Sequence, residues 1–160
     1  MPAHPPVNAK PGAGYPNGTQ HCHADADLDR ALTSRGVKQA ARVATWLDRQ
    51  LPEGTRIVCS PARRCEQTAL ALGRKFKTRA ELGPGASVEQ LLDVAQWPVA
   101  KQAVVIIGHQ PVLGETIARL LPFKFDACPV RKGTVWWLRT RERDGHQQTV
   151  VAAVQSADTL

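Results

Sequence analysis

The chain has 160 residues, 42% of them hydrophobic and 22% charged, with a net charge of +7. That length fits one domain with a sizeable core, and no apolar run is long enough to cross a bilayer. The basic residues are scattered rather than run together, which argues against a nucleic-acid stripe and for a solvated surface with a few arginines kept for an anionic ligand.

Residues 1–27, MPAHPPVNAKPGAGYPNGTQHCHADAD, are rich in proline and glycine and carry no apolar period. They predict loop or disorder, an atypical segment ahead of a domain over 28–160. They lack the apolar core of a signal peptide, so the expected location is cytoplasmic. His21, Cys22 and His23 are adjacent and lack metal-binding spacings, so no metal is expected there. Cys22, Cys59, Cys65 and Cys128 form no C-x-x-C pair and read as reduced and mostly structural.

Ordered sequence begins near Leu28. Thr33 or Ser34 is an N-cap candidate. Val37, Ala40, Ala41, Ala44, Leu47 and Leu51 follow at helical spacing, with Lys38, Arg42, Asp48 and Arg49 around the wheel. Pro52 and Gly54 end this helix. Arg56–Ser60 is a short strand broken by Pro61. A second helix is expected from Ala62 to Lys75, burying Ala69, Leu70 and Leu72. Gly83-Pro84-Gly85 is a loop, and Ser87 caps a helix from Val88 to Gln96.

The stretch Ala103–Leu121 organises the rest. Ala103 to Ile107 is a short apolar, mostly β-branched run, the pattern of a buried strand in a parallel sheet. Gly108 permits a tight turn, and Pro111 suits the start of a helix. His109 therefore stands at the carboxyl end of a strand, the edge where open α/β sheets bind ligands. The plainer reading makes His109 a local turn residue. After Pro122, Val135–Leu138 and Val150–Val154 read as strands joined through Asp144-Gly145, a hairpin signal. The whole predicts a three-layer α/β/α fold, with a mostly parallel sheet and an antiparallel edge hairpin.

Ser60–Thr68, SPARRCEQT, repeats the geometry of the His109 element: a strand ends, a turn follows and a helix starts at the same edge. A helix N-terminus offers amides and a positive dipole end to an anion. Arg63 and Arg64 in that first turn oppose the dipole. They make sense if a dianion occupies the gap, or else both point to solvent.

These residues resemble a known family. SPARRCEQT matches the S-P-x-x-R-x-x-Q-T motif of the histidine phosphatase superfamily, Leu32-Thr33-x-x-Gly36-x-x-Gln39-Ala40 its L-T-x-x-G-x-x-Q-A motif, and Gly108-His109-Gln110-Pro111 the segment of its second active-site histidine. The likeness covers about 28–155 and is strongest to the small SixA-type phosphohistidine phosphatases. It implies a phosphatase that works through a phosphohistidine intermediate, with no metal or other cofactor. It implies that Arg64 and His109 hold the phosphate and that Arg30 lines the pocket. Phosphoryl transfer asks mainly for positioned donors around three oxygens, which arginine supplies as a fixed, always-charged fork. A neutral imidazole can attack phosphorus and leave again.

The chain departs from the family at its start. The family opens with a buried strand running into Arg-His-Gly or Arg-His-Ala, whose histidine is the nucleophile. Here no Arg-His pair exists. Cys22-His23-Ala24 is the nearest equivalent, with Cys in place of Arg, which makes His23 the candidate nucleophile and His21 the alternative. Residues up to about 26 are expected to come from another reading frame or a misassigned start, or else to mark a phosphate-binding pseudophosphatase. The missing strand is expected between the strands ending at Ser60 and Gly108, which predicts a marginal fold. Between Arg64 and His109 lie 44 residues, too few for a large inserted lid. An open pocket suits a phosphohistidine on a signalling protein, such as a histidine phosphotransfer domain of a sensor kinase, with a small phosphate ester as the other substrate. Nucleic acid and membrane are not expected partners.

Overall fold

The structure, a computed structural model, describes residues 25–160. His21, Cys22 and His23 lie outside the described residues. A helical turn over 25–28 leads to α1, Ser34–Gln50. Its N-cap is Thr33, whose hydroxyl accepts from the Gly36 amide at 3.1 Å. Ala40, Val43, Ala44 and Leu47 form the buried stripe, one face of a 3.6-residue period.

β1, Arg56–Cys59, leads into α2, Arg63–Ala71. This helix is shorter than expected because Gly73 takes φ +65° and turns the chain. The freed residues Phe76–Thr78 become β2, parallel to β1. Leu70, expected inside, is 65% exposed, whereas Cys65 and Ala69, four residues apart, form the buried stripe. A 3₁₀ turn, Ala80–Leu82, precedes α3, Val88–Ala95. The latter starts with a reciprocal capping box between Ser87 and Gln90. β3, Val104–Ile107, and α4, Val112–Leu120, complete the parallel part.

The sheet order is β2-β1-β3. Alternate residues point to opposite helical layers. Ile57, Val105 and Ile107 pack in the cluster of Val43, Ala44 and Leu47 from α1. Val58, Val104 and Ile106 pack in the cluster of Val88, Leu91 and Val94 from α3 and Val112 from α4. The three-layer α/β/α arrangement is thus written in the side-chain alternation of two four-residue strands.

The position expected for the missing strand is corrected by the ladder itself. β1 and β3 pair directly, Arg56 with Val104 through Cys59 with Ile107. The Arg56 amide donates to Ala103 O and the Ser60 amide to Ile107 O, both at 2.9 Å, closing the two ends. No gap exists there. Among the described residues, β3 has no partner on its other edge. Its four apolar residues are accordingly half-buried rather than buried as their composition predicts.

The hairpin is longer than its apolar runs suggest: β4, Thr134–Arg143, and β5, His146–Ser156. Asp144 and Gly145 take φ of +52° and +73°, the left-handed conformation that a two-residue hairpin turn requires. Among the described residues the hairpin is a two-stranded sheet of its own. A closing 3₁₀ turn, Ala157–Thr159, buries Ala157 against α1.

Candidate active site

Two strand ends and two helix starts meet at one edge. β1 delivers Ser60, which is fully buried, and α2 delivers Arg63, Arg64 and Cys65 in its first turn. β3 delivers His109 just ahead of α4. Arg63 points to solvent and Arg64, the arginine at the fifth position of the motif, is half-buried, so the two are separated by one helical step. Arg64 brings a guanidinium nitrogen to 3.1 Å from His109 Nδ1. On the other side of the ring, Nε2 lies 2.7 Å from Ser60 Oγ and 3.8 Å from Cys65 Sγ.

Arg64 is oriented by the segment ahead of α1. It donates to the backbone carbonyl of Asp27 at 2.6 Å and to the Asp27 carboxylate at 3.1 Å. The other carboxylate oxygen takes an ion pair from Arg30 at 3.1 Å. Asp27 therefore bridges Arg64 and Arg30, and Arg30 reaches the pocket through that carboxylate rather than by touching His109. The backbone amide of Leu32 donates to Gln67 at 2.7 Å, tying the L-T segment to α2. Thr68 caps the carbonyl of Arg64 with its hydroxyl, at 2.8 Å. Each polar residue of the SPARRCEQT motif thus has a structural or site-directed role, apart from Arg63 and Glu66.

On the His109 side, Gln110 accepts from the Gly114 amide and donates to Val130 O. The Cys128 amide donates to Gly114 O at 2.9 Å. A Cβ on residue 114 would lie 2.1 Å from Cys128 O, so only glycine fits. The chain after α4 is in this way laced to the helix that carries His109.

Burial and the neighbouring Arg64 charge hold the His109 ring below the usual histidine range, and the Asp27 carboxylate partly opposes them. Burial pushes the Cys65 thiol up, against the pull of Arg64. Cys59, the last residue of β1, is pushed up to about 11 by burial. Both thiols are protonated near neutral pH, which suits packing rather than nucleophilic chemistry. Among the described residues, no group of histidine, cysteine and carboxylate side chains could hold a metal ion.

Of the sequence-predicted site, Arg64 and His109 converge and Arg30 is linked through Asp27. His23 lies outside the described residues. Asp27, Ser60 and Cys65 are members that sequence reasoning passed over. Asp27 stood at the edge of the atypical segment and Ser60 passed for the last residue of a strand. The signal for Ser60 was present: a small polar residue ending an otherwise apolar strand at the ligand-binding edge.

Comparisons with known proteins identify the family and the fold. The model of the histidine phosphatase superfamily (branch 1) matches residues 16–86. Phosphohistidine phosphatase SixA of Escherichia coli K12 is 32% identical over 114 residues, which cover 62% of this chain and 71% of that protein. An uncharacterised protein of Mycobacterium tuberculosis H37Rv is 31% identical over 104 residues, and the match spans 62% of this chain and 60% of that relative's length. Among solved structures, protein histidine phosphatase SixA complexed with tungstate superposes with a TM-score of 0.64 at 25% identity, covering 83% of this chain and 88% of that one. A relative 32% identical over 71% of its own length, and a SixA structure of the same fold, have one common source: the chain belongs to the histidine phosphatase superfamily, among its SixA-type members.

Proposed function

We propose that this chain is a metal-independent phosphatase that removes phosphate from a phosphohistidine carried on a signalling protein. The observation that carries the reading is the approach of the Arg64 guanidinium to His109 Nδ1, at 3.1 Å, beside the first turn of α2. A fork of fixed positive charge and an imidazole, set at a helix N-terminus, suit the three equatorial oxygens of a transferring phosphoryl group. His23 is the proposed acceptor. Its ring nitrogen bonds phosphorus as the substrate's P–N bond breaks, the leaving imidazole takes up a proton, and water then releases inorganic phosphate. Arg30 supplies further positive charge at the pocket rim. A small phosphate ester is the other substrate class, and it demands more help for its leaving group.

The sequence favours a second reading on one point: Cys22 stands where the family has the arginine that precedes its nucleophile. In that reading the chain binds phosphate without turnover. The deciding experiment incubates the purified chain with a phosphorylated histidine phosphotransfer domain and follows phosphate release, with tungstate binding measured in parallel. Turnover that disappears in His23→Ala supports the enzyme, and tungstate binding without turnover supports the binder. His109→Ala is expected to lower turnover roughly 10²–10³-fold, the usual loss for one transition-state donor. Arg64→Ala is expected to weaken tungstate binding by about 10-fold or more, as removal of a charged hydrogen-bond donor does. Wild-type binding by Arg64→Ala removes Arg64 from the site.

A further inference from the structure

We propose that Ser60 is a positioning residue that holds His109 in a single tautomer, and that anion binding at this site therefore takes up a proton. The proposal rests on the phosphate reading above and extends it to a residue that reading does not use.

The argument is an inventory of donors. A guanidinium only donates, so Nδ1 of His109, 3.1 Å from Arg64, accepts and carries no proton. A neutral imidazole has one N–H, so the proton is on Nε2 and is donated to Ser60 Oγ at 2.7 Å. Ser60 Oγ also accepts from the Ala62 amide at 3.2 Å. Both of its acceptor sites are filled, so Ser60 receives the ring proton and a backbone amide and gives nothing back to His109. Ser60 is fully buried, so no solvent competes for these bonds. The ring is fixed with Nε2 inward and Nδ1 toward Arg64 and the anion side.

That orientation has a consequence for the ligand. A phosphate oxygen is an acceptor, and so is an unprotonated Nδ1. The ring can hold the anion only when Nδ1 gains a proton, while Nε2 keeps its bond to Ser60. The charged and titratable neighbours of the ring among the described residues are Arg64 and Cys65 from α2, and Asp27 and Arg30 from the segment ahead of α1. Without an anion, Arg64 and burial favour the neutral ring. A dianion between Arg64 and Nδ1 reverses the balance and favours the imidazolium.

Tungstate is the probe, because it stays a dianion between pH 6.5 and 8.5 and adds no titration of its own. Nitrogen-15 spectra of the full chain at pH 8 are expected to show His109 as the Nε2–H tautomer. Calorimetry in buffers of different ionisation enthalpy is expected to show uptake of roughly one proton per bound ion, with affinity falling as pH rises. Ser60→Ala is expected to populate both tautomers and to shift the pH profile of binding. An Nδ1–H tautomer in the free protein, binding without proton uptake, or wild-type tautomer and uptake in Ser60→Ala overturns the proposal and leaves the phosphate reading standing. Absence of tungstate binding with the Nε2–H tautomer intact overturns the phosphate reading and the linkage with it. Should Ser60→Ala not fold, the wild-type tautomer and proton count decide alone.

Discussion

The β1–α2 and β3–α4 units are built to one plan, yet they are not equally supported. Each is a four-residue, mostly apolar strand, a tight turn and a nine-residue helix whose first turn meets the site. β1 is paired on both edges and buried from Ile57 onward, and it ends in a fully buried Ser60. β3 is as apolar in sequence but is paired on one edge among the described residues and is half-buried throughout. Its half of the site is steadied from the helix side instead, through Gln110, Gly114 and Cys128. Two similar sequences thus reach one site by different means: sheet position on one side, loop lacing on the other.

The sharpest test of that contrast is a pair of core truncations. Ile57→Ala removes a side chain 2% exposed and is expected to cost about 2–5 kcal/mol, the range for large-to-small core changes. Ile107→Ala, in the same cluster, is expected to cost roughly half as much, because its burial is partial. Urea midpoints measure both, and equal losses would break the comparison. Next comes Gly114→Ala, expected to destabilise by about 1–3 kcal/mol because the new methyl meets backbone rather than a yielding side chain. Denaturation monitored at Trp136, close to Cys128 in the cluster with Ile117 and Leu121, would report it. A neutral or stabilising Gly114→Ala would remove the lacing from the account.

The smallest effect separates the two units by pH. The His109 ring is held below its ordinary value, so the unfolded chain binds the extra proton first as pH falls through about 6.5. Stability from this group is full above that value and is lost toward acid. Cys59 behaves oppositely: its thiol ionises at 9.0 when free and at about 11 when folded, so stability is full below pH 9 and is lost as pH rises above it. His109→Gln is expected to flatten the acid limb and Cys59→Ser the alkaline limb. Midpoints at pH 5.5, 7.5 and 9.5 test both, and a limb that survives its own substitution contradicts the assignment.

Much of this was legible in the residues. The continuous apolar runs IVC and VVII, the capping Ser87 and the Asp144-Gly145 turn each carry a local physical cause, and their elements formed where that cause acts. That Arg64 and His109 lie at the same edge was legible because both follow the carboxyl ends of strands in a parallel sheet. What escaped was set by neighbours. Phe76–Thr78 has no periodic pattern and is a strand because β1 offers an edge. Arg139–Arg143 is polar and extends the hairpin only because β5 lies opposite. The adjacency of β1 and β3 is a matter of strand order, which no local pattern encodes. Asp27 escaped because its role depends on Arg64, 37 residues later.

That carboxylate gives the resting pocket a particular electrical character. Asp27 already neutralises part of the charge of Arg64 and Arg30, so the oxyanion of the proposed reading would exchange for an anion instead of filling a bare well. In such an exchange, salt screens the contact that is given up as well as the one that is gained. Ionic strength then acts on the difference between two similar attractions. On the proposed phosphate reading, such a pocket would discriminate by the number and geometry of oxygens offered to its donors, and a monovalent counter-ion, with nothing better to offer than Asp27, would gain little by entering.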